Sequence, residues 1–380
     1  MNNGASEYRV EAFQPEHRAQ VIGLLSLLGG MSDPEAYFRW KYELNADRVE
    51  PLLYVVLRDG EVVGMRGNLG TKWEADGQLF RVPLIGDFVI APGHRKKGLV
   101  SRIMEHLERD MASRGFPFLF NMSAIATVHL ASLSRGWRGI GSLEPMVWRA
   151  KPGLGTRLRR RLRATVPSGR SPRTSDRAHD RSAADSTDRQ GTFRDLDRRA
   201  GRALGRRITV ASSPRPQAMA DLIDRIGTDG RIRRVRDEGF FRWRFDDAVG
   251  PFRFLFWDDD ELQGYLILRG GVGRTGPRAG ILDWEGSRPG IKGDLLTAAI
   301  HGGRFKSVDI WSASLDAATK DVLSRKGFVP RPGRSSVAHP EPTVLVKRLG
   351  DEEGRGDWTL GARLMLERAN WDLRMSYTDA

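Results

Sequence analysis

The segment Asp87–Val100, DFVIAPGHRKKGLV, decides the fold that the sequence predicts. It opens on an apolar, strand-like run at Phe88–Ile90 and then passes through a glycine and three successive cations, Arg95, Lys96 and Lys97. Apolar residues then recur at helical spacing, at Leu99, Val100, Ile103, Leu107 and Met111. The first N–H groups of a helix have no partner within the helix, and together with the helix dipole they favour an anion. The segment therefore predicts a strand, an anion-binding loop and a helix, and a diphosphate suits this geometry.

The segments around this unit predict a mixed α/β protein. The predicted elements are a helix at Val21–Leu28, a hairpin at Tyr54–Val63, strands at Leu79–Leu84 and Phe118–Asn121, and a helix at Val128–Leu133. The hairpin has the turn Asp59-Gly60 between two apolar runs. An antiparallel front half followed by a strand–helix–strand unit indicates an α/β fold with a mixed sheet.

The two halves of the chain contain matching motifs in the same order. Tyr37–Tyr42 (YFRWKY) matches Phe240–Phe245 (FFRWRF), and Leu53–Gly64 matches Phe254–Gly264. The other pairs are Pro15 with Pro216, Asp87 with Asp283, and Leu133–Trp137 with Leu323–Phe328. Matches that keep one order predict two copies of one domain in tandem. We interpret Arg39-Trp40 and Arg242-Trp243 as anchors of a helix-to-strand corner in each copy.

The second copy has lost the basic loop. Pro289–Asp294 stands in its place with a single cation, and Asp294 would face a phosphate with the wrong sign. We therefore expect a degenerate second domain that covers the open side of the first. Trp358 and Trp371, which follow it, are expected to cover apolar surface between the domains.

A basic linker separates the halves. Residues 151–207 carry 17 Lys or Arg against six Asp, and so hold most of the net charge of +14. This composition cannot bury enough apolar surface to order the segment, so we expect it to be partly disordered. The predicted division is a first domain at 1–150, a linker at 151–207 and a second domain at 208–380. Leucines spaced by four among arginines from Leu154 leave two interpretations of residues 154–207: a weak contact with an anionic membrane or nucleic acid, or a solvated tether.

Several classes of protein are excluded by what the sequence lacks. It contains no cysteine, which removes disulfides, thiolate nucleophiles and cysteine-ligated metals. Its seven histidines show no metal-ligand spacing, so no metal site is expected. The N-terminus, MNNGASEYRV, has no basic segment followed by an apolar one, and we therefore expect a cytoplasmic protein.

The order strand, Val89-x-x-Pro92-x-x-Arg95-x-x-Gly98, helix resembles the acyl-CoA motif of the GNAT N-acyltransferases. The resemblance covers most of residues 7–150 and, more weakly, 208–345. It implies two GNAT-like domains in tandem, the second degenerate. It also implies an enzyme with an acyl-CoA cosubstrate, acetyl-CoA being the expected one. Such an enzyme moves the acyl group directly to an amine of a small molecule or sugar precursor. The alternative is a catalytically inactive CoA-binding or regulatory module.

The resemblance also implies which residues contact acyl-CoA. The strand edge at Phe88, Val89 and Ile90 would pair with the pantetheine arm, and Asn121 would face the same arm. The diphosphate would lie against the N–H groups of the loop and the helix start, at Arg95, Lys96, Lys97, Gly98, Leu99 and Val100. A contact between His94 and a phosphate is a further expectation.

Asp87 is the first candidate for the base that accepts the proton of the acceptor amine. The alternative is a structural carboxylate at a strand end, and Asp283 at the matching position favours that alternative. Glu43 and Glu144 are weaker candidates for the same role.

The sequence departs from the family at the acid that protonates the leaving thiolate. The family often has a tyrosine a few residues before the position of Gly136-Trp137, and this chain has none there. His129 and Ser132 are the candidates for the source of this proton, with water and Ser134 as alternatives. This departure is what motivates the inactive alternative.

Overall fold

The computed structural model describes residues 8–28, 31, 33–122, 126–151, 191–199, 207–246, 249–273, 276–331, 343–350 and 357–378. Its helices are α1 Arg18–Leu25, α2 Pro34–Phe38, α3 Leu99–Ser113, α4 Ala126–Leu133, α5 Arg194–Arg199, α6 Pro216–Ile226, α7 Glu238–Arg244, α8 Pro289–Gly303 and α9 Ala317–Arg325. A π-helical turn, Arg39–Glu43, continues α2. Most of the basic linker, including the leucines from Leu154, lies outside the described residues.

The strands up to the linker are β1 Arg9–Ala12, β2 Leu53–Arg58, β3 Glu61–Ala75, β4 Gln78–Ile90, β5 Phe118–Asn121, β6 Arg138–Ser142 and β7 Pro145–Arg149. Those after the linker are β8 Ile208–Ala211, β9 Ile232–Arg234, β10 Phe252–Asp258, β11 Leu262–Gly273, β12 Gly276–Gly286, β13 Ser307–Trp311, β14 Val329–Pro330, β15 Thr343–Arg348, β16 Thr359–Leu360, β17 Arg363–Leu364 and β18 Trp371–Asp372. They confirm the predicted mixed α/β class.

Two large mixed sheets form the molecule. The first has the strand order β1-β2-β3-β4-β5-β15-β6, and the second has the order β14-β7-β13-β12-β11-β10-β8. The central strands of each sheet are an antiparallel meander, followed by one parallel neighbour. The matched sequence motifs therefore lie on corresponding elements. The origin of the second unit as a GNAT domain stays a prediction.

Each half of the chain contributes to the sheet of the other half. Two strands of the C-terminal half, β9 and β18, join the first sheet off its main order, β9 by pairing with β3 and β18 by pairing with β9. Two further strands, β15 and β7, lie inside the sheet of the other half. β15, from the C-terminal half, lies between β5 and β6 of the first sheet. β7, from the N-terminal half, lies between β13 and β14 of the second. The predicted division at residue 150 separates two stretches of chain, but the sheets do not follow it. Cutting there would remove an internal strand, next to the edge strand, from each sheet.

Alternation along β2 explains how helices cover both faces of the first sheet. Leu53, Val55 and Leu57 point to the side that packs against α1 and α2. Tyr54 and Val56 point to the opposite side, against α3. Because successive side chains in a strand face opposite ways, five apolar residues in a row build two cores.

A third core joins the two halves. Trp371 is fully buried and makes edge contacts with Trp73 of β3 and Phe120 of β5, at ring-centroid distances of 5.7 and 5.2 Å. The same core contains residues of α6, α7 and the second sheet. The C-terminal segment thus covers apolar surface between the halves at Trp371, as the sequence predicts.

Candidate active site

The loop between β4 and α3 has the predicted course. β4 ends at Ile90, a 3-10 turn spans Pro92–His94, and α3 begins at Leu99. Gly98 has a φ of +71°, in the left-handed region where a side chain is strained. A Cβ built on Gly98 would meet no described atom within 4 Å. The backbone at the helix start is therefore open to a ligand at close approach.

The cations of the loop remain available to an anion. Arg95, Lys96 and Lys97 are exposed, and in the described part of the chain none of them forms an ion pair with a carboxylate. Arg95 donates from Nε to the carbonyl oxygen of Ile90 at 3.0 Å, which holds its guanidinium near the end of the strand. His94 is half-buried in the same turn. The loop is a positively charged surface around a helix N-terminus.

An unpaired strand edge leads into this loop. β4 pairs with β5 at Leu84 and Phe120 only, and residues 85–90 have no described strand partner on that side. On the other side, Phe88–Ile90 pair with Gly64–Arg66 of β3. The register shifts at Gly86 and Asp87, as in a β-bulge. The edge that the resemblance assigns to an extended amide chain is thus available, and Asn121 lies buried at the end of β5.

Asp87 lies in a network that the sequence did not predict. Its carboxylate is 2.9 Å from Nζ of Lys41, which is fully buried. It accepts hydrogen bonds from the hydroxyls of Tyr37 at 3.0 Å and Tyr42 at 2.7 Å. Burial and the Asp87 carboxylate raise the pKa of Tyr42 well above its usual value, so this phenol stays a donor. Gly67 permits the approach, because any Cβ there would overlap the Tyr42 hydroxyl.

The YFRWKY motif recurs in the second half of the chain, and this recurrence favours a structural role for its residues. The network around Asp87 is therefore not predicted from the sequence. In the second half Phe240, Arg244 and Phe245 stand where the first has Tyr37, Lys41 and Tyr42. The apolar pattern and the cation recur, which favours a structural interpretation, whereas the two tyrosine hydroxyls that donate to Asp87 occur in the first copy alone. The sequence signal that could have indicated the network is the replacement of both tyrosines by phenylalanine in the second motif.

The matching carboxylate, Asp283, is neutralised by other residues. It accepts from Arg236 at 3.1 Å and from Arg374 of the C-terminal segment at 2.9 Å. The Tyr265 hydroxyl donates to it at 3.2 Å. Its side chain has no exposed surface, whereas that of Asp87 is 10 % exposed. The two aspartates thus share a strand position and differ in their surroundings.

His129 and Ser132 both lie on α4. Burial lowers the pKa of the half-buried His129, which favours its neutral form near pH 7. Ser132 is buried, and its carbonyl accepts from the N–H groups of Arg135 and Trp137 as the helix ends. No hydrogen bond connects either side chain to Asp87 in the described residues. The structure therefore does not bring the three candidate catalytic residues into direct contact.

The weaker acidic candidates have structural partners. Glu43 forms an ion pair with Arg18 at 2.7 Å. Glu144 forms ion pairs with Arg368 at 2.7 Å and Lys320 at 3.1 Å. Both carboxylates tie separate segments of the chain together.

The part of the second sheet and its helices (the second unit) that corresponds to the open edge of β4 and the basic loop is a cleft that other residues fill. α8 begins at Pro289, directly after residues 287 and 288, so no loop equivalent to 91–98 exists there. Arg374 donates to the carbonyl oxygen of Trp284 on β12 at 3.0 Å, and the N–H of Leu373 donates to Ser314 Oγ at 2.7 Å. The remaining cavity is about 20 Å³, roughly the space for one water molecule. The C-terminal segment occupies the edge of β12 that is open on β4.

Comparison with known proteins agrees with this geometry. Residues 9–131 match the family model of the acetyltransferase (GNAT) domain. The chain therefore contains a domain of the GNAT superfamily, which is a family of acyltransferases. No curated protein matches the sequence. No described helix is long and apolar enough to cross a membrane.

Solved structures share the fold over most of the chain. A GCN5-related N-acetyltransferase from Anabaena variabilis is 15% identical, with a TM-score of 0.56 over 90% of this chain and 73% of that one. A protein from Enterococcus faecalis called a probable N-acyltransferase is 13% identical, with a TM-score of 0.58 and the same coverage. A GCN5-related N-acetyltransferase from Kribbella flavida is 12% identical, with a TM-score of 0.51 over 93% of this chain and 74% of that one. At these identities the likeness concerns the fold alone.

Proposed function

We propose that the protein transfers an acyl group from an acyl-CoA, with acetyl-CoA as the expected donor, to an amine of a small molecule or sugar precursor. One observation carries the proposal: the unpaired edge of β4 at residues 85–90 runs directly into the exposed basic loop and Gly98. A strand edge holds an extended amide chain, and a basic helix N-terminus holds phosphates. Acyl-CoA carries an amide-containing arm and a diphosphate in the same order.

The cosubstrate would contact three parts of the first unit. The N–H groups from Arg95 to Val100, with the side chains of Lys96 and Lys97, would bind the diphosphate. The edge Phe88–Ile90 would pair with the amide groups of the arm. Asn121, at the end of the neighbouring strand, would face the arm from the other side. The second unit would bind none of it, because the C-terminal segment fills its cleft.

Acyl-CoA would supply an activated thioester. Side chains of the protein would accept the proton that the amine loses and supply the proton that the thiolate gains. Asp87 is the group that we expect to take the proton of the acceptor amine, since it lies at the bulge where the open edge begins. The half-buried Tyr37 hydroxyl, which donates to Asp87, connects this carboxylate to the protein surface. The leaving thiolate takes up a proton in the same reaction, and His129 and Ser132 are the groups that we expect to pass it on. His129, which is neutral near pH 7, would first accept a proton and then donate it to the thiolate.

The test is the thermal stability of the protein with and without CoA. A ligand at 100 times its dissociation constant stabilises by about 2.7 kcal/mol. We would compare wild type with Gly98→Asp and the matched control Gly98→Ala. Both variants introduce about 1–2 kcal/mol of left-handed strain, but Asp alone places a negative charge against the diphosphate.

We expect CoA to raise the melting temperature of wild type and Gly98→Ala and to leave Gly98→Asp unchanged. An equal rise in all three proteins would show that CoA binds away from the loop. No rise in wild type would contradict the proposal as a whole.

A further inference from the structure

Tyr8, the residue that precedes β1, reaches the anion-binding loop from the edge of the first sheet. Its hydroxyl is 2.9 Å from Nδ1 of His94, in the 3-10 turn of the loop. The two rings meet edge to face at 5.8 Å. Nζ of Lys97 lies 5.7 Å from the centre of the Tyr8 ring. One phenol therefore contacts both the turn and the cationic end of the loop.

Tyr8 also connects the loop to the two elements beside it. Arg58, at the end of β2, donates to the Tyr8 hydroxyl at 3.3 Å and lies over its ring at 5.4 Å. Arg102, in the first turns of α3, donates to the Tyr8 carbonyl oxygen at 2.6 Å. Strand, loop and helix thus share this single residue as a partner.

The phenol oxygen lies among cations that would otherwise repel one another. Desolvation raises the pKa of Tyr8, but hydrogen bonds to Lys97 and Arg58 outweigh it and lower the pKa overall. The lowered pKa means that the neighbouring cations stabilise negative charge on this oxygen, so the oxygen attracts them in return. Removing the hydroxyl would let Lys97 and His94 leave their positions, while the ring would still pack.

We propose that Tyr8 is a positioning residue for the anion-binding loop, acting through His94 and Lys97 so that the loop presents its N–H groups and cations to a diphosphate. This inference rests on the proposed function. It assigns the N-terminal strand a role in cosubstrate affinity, although Tyr8 itself need not touch the ligand. Its effect is expected in the binding constant of any ligand that carries the diphosphate.

The test is calorimetric titration of the full chain with CoA and with pantetheine, which lacks the diphosphate. Tyr8→Phe removes the hydroxyl and keeps the ring. Tyr54→Phe is the matched control, because it removes a hydroxyl that also ties the sheet to α3, through Asp110 at 2.8 Å, away from the loop. We expect Tyr8→Phe to weaken CoA about three- to tenfold, the size of one hydrogen bond, and to leave pantetheine unchanged. Tyr54→Phe should leave both unchanged.

Three other outcomes of this titration would each contradict a different statement. Equal CoA affinity in wild type and Tyr8→Phe overturns the inference and leaves the proposed function intact. Parallel loss for CoA and pantetheine assigns Tyr8 a general structural role instead. If the wild-type protein does not bind CoA, both the proposed function and this inference are wrong.

A double-mutant cycle tests the path through His94. If Tyr8 acts in part through this histidine, Tyr8→Phe should weaken CoA binding by a smaller factor in a His94→Ala background than in the wild type, and the remaining effect is the part that acts through Lys97. Independent, multiplicative losses would show that the hydroxyl does not act through His94 and would overturn that step.

Discussion

Trp40 and Trp243 stack on each other with their ring centroids 4.9 Å apart and their planes 5° from parallel. Each indole N–H donates to the backbone carbonyl of the other residue, both at 2.7 Å. The two residues occupy the same position in YFRWKY and FFRWRF. A reciprocal contact of this kind is what a two-fold axis imposes, so a local two-fold relates the two motifs. The recurring Arg-Trp pair predicts that each tryptophan anchors a corner within its own half, whereas the structure pairs the two tryptophans across the halves.

Trp40→Phe should destabilise the whole chain. The change removes a stacked indole and leaves the Trp243 carbonyl without its donor, both in a buried interface. We expect the free energy of unfolding in urea to fall by about 2 kcal/mol. Trp148→Phe, at a partly buried position of β7, is the control and should cost less.

The double variant Trp40→Phe/Trp243→Phe completes this prediction. Because the two indoles satisfy each other, the second substitution should cost less than the first. Additive losses would show that the stack and its hydrogen bonds do not couple the halves.

Local pattern was sufficient to predict the loop and its flanking elements. Alternation, helical spacing and Gly98 are properties of adjacent residues, so the strand to Ile90 and the helix from Leu99 could be predicted. Strand partners are set by the tertiary fold. Nothing in the pattern of 145–149 or 343–348 states which sheet accepts the strand, and the exchange of these strands could not be predicted.

The network around Asp87 could not be predicted from local sequence pattern either. Tyr37, Lys41 and Tyr42 lie within six residues, but Asp87 is more than 40 residues away, and only the fold brings them together. Arg374 and Asp283 are separated by an even longer stretch of chain, 91 residues. Polar partners of this kind produce no periodic pattern in the sequence, because only the tertiary fold brings them together.

Asp87→Asn should separate acyl transfer from cosubstrate binding. With acetyl-CoA and an amine identified from a panel of aminosugars and polyamines, we expect turnover to fall at least 100-fold, the usual size of a general-base contribution. The dissociation constant for CoA should stay within about twofold, because the loop and strand edge are unchanged. Release of the CoA thiol measures the first and calorimetry the second.

Loss of the charge pair must be separated from loss of the base. Lys41→Met leaves Asp87 buried without its cation, and Lys41→Met/Asp87→Asn removes both charges. We expect the single variant to be less stable than the double one, by about 3 kcal/mol for a broken buried pair. Turnover that survives in Asp87→Asn would assign Asp87 a structural role, as its match with Asp283 suggests.

The buried charges of the second unit predict acid sensitivity. Burial raises the pKa of Glu285, but Arg374, Arg236 and Lys292 outweigh it and lower the pKa to about 2, from 4.5 for the free group. A carboxylate with a depressed native pKa stabilises fully above its unfolded value and loses this contribution as the pH falls. We therefore expect unfolding free energy to drop between pH 4.5 and 2, with about 3 kcal/mol from Glu285.

Glu285→Gln checks this assignment. The variant should be less stable at pH 7 and should show a shallower loss of stability between pH 4.5 and 2, measured by urea unfolding at each pH. Glu261→Gln, at a carboxylate that is 54% exposed, should keep the wild-type slope. An unchanged slope in Glu285→Gln would show that other carboxylates carry the acid response.

The filled cleft of the second unit predicts one CoA per chain. Residues 374–377 lie against β12, Arg374 donates to Asp283 and to the carbonyl oxygen of Trp284, and α8 starts without a preceding loop. Calorimetry should therefore give a stoichiometry of one for wild type and no binding for Gly98→Asp. Arg374→Ala removes the contact with Trp284 and should lower stability, yet it should not create a second site, because no N-terminal loop exists to hold a diphosphate. A stoichiometry of two in wild type would contradict this prediction and would mean that the C-terminal segment is displaced and that both units bind CoA.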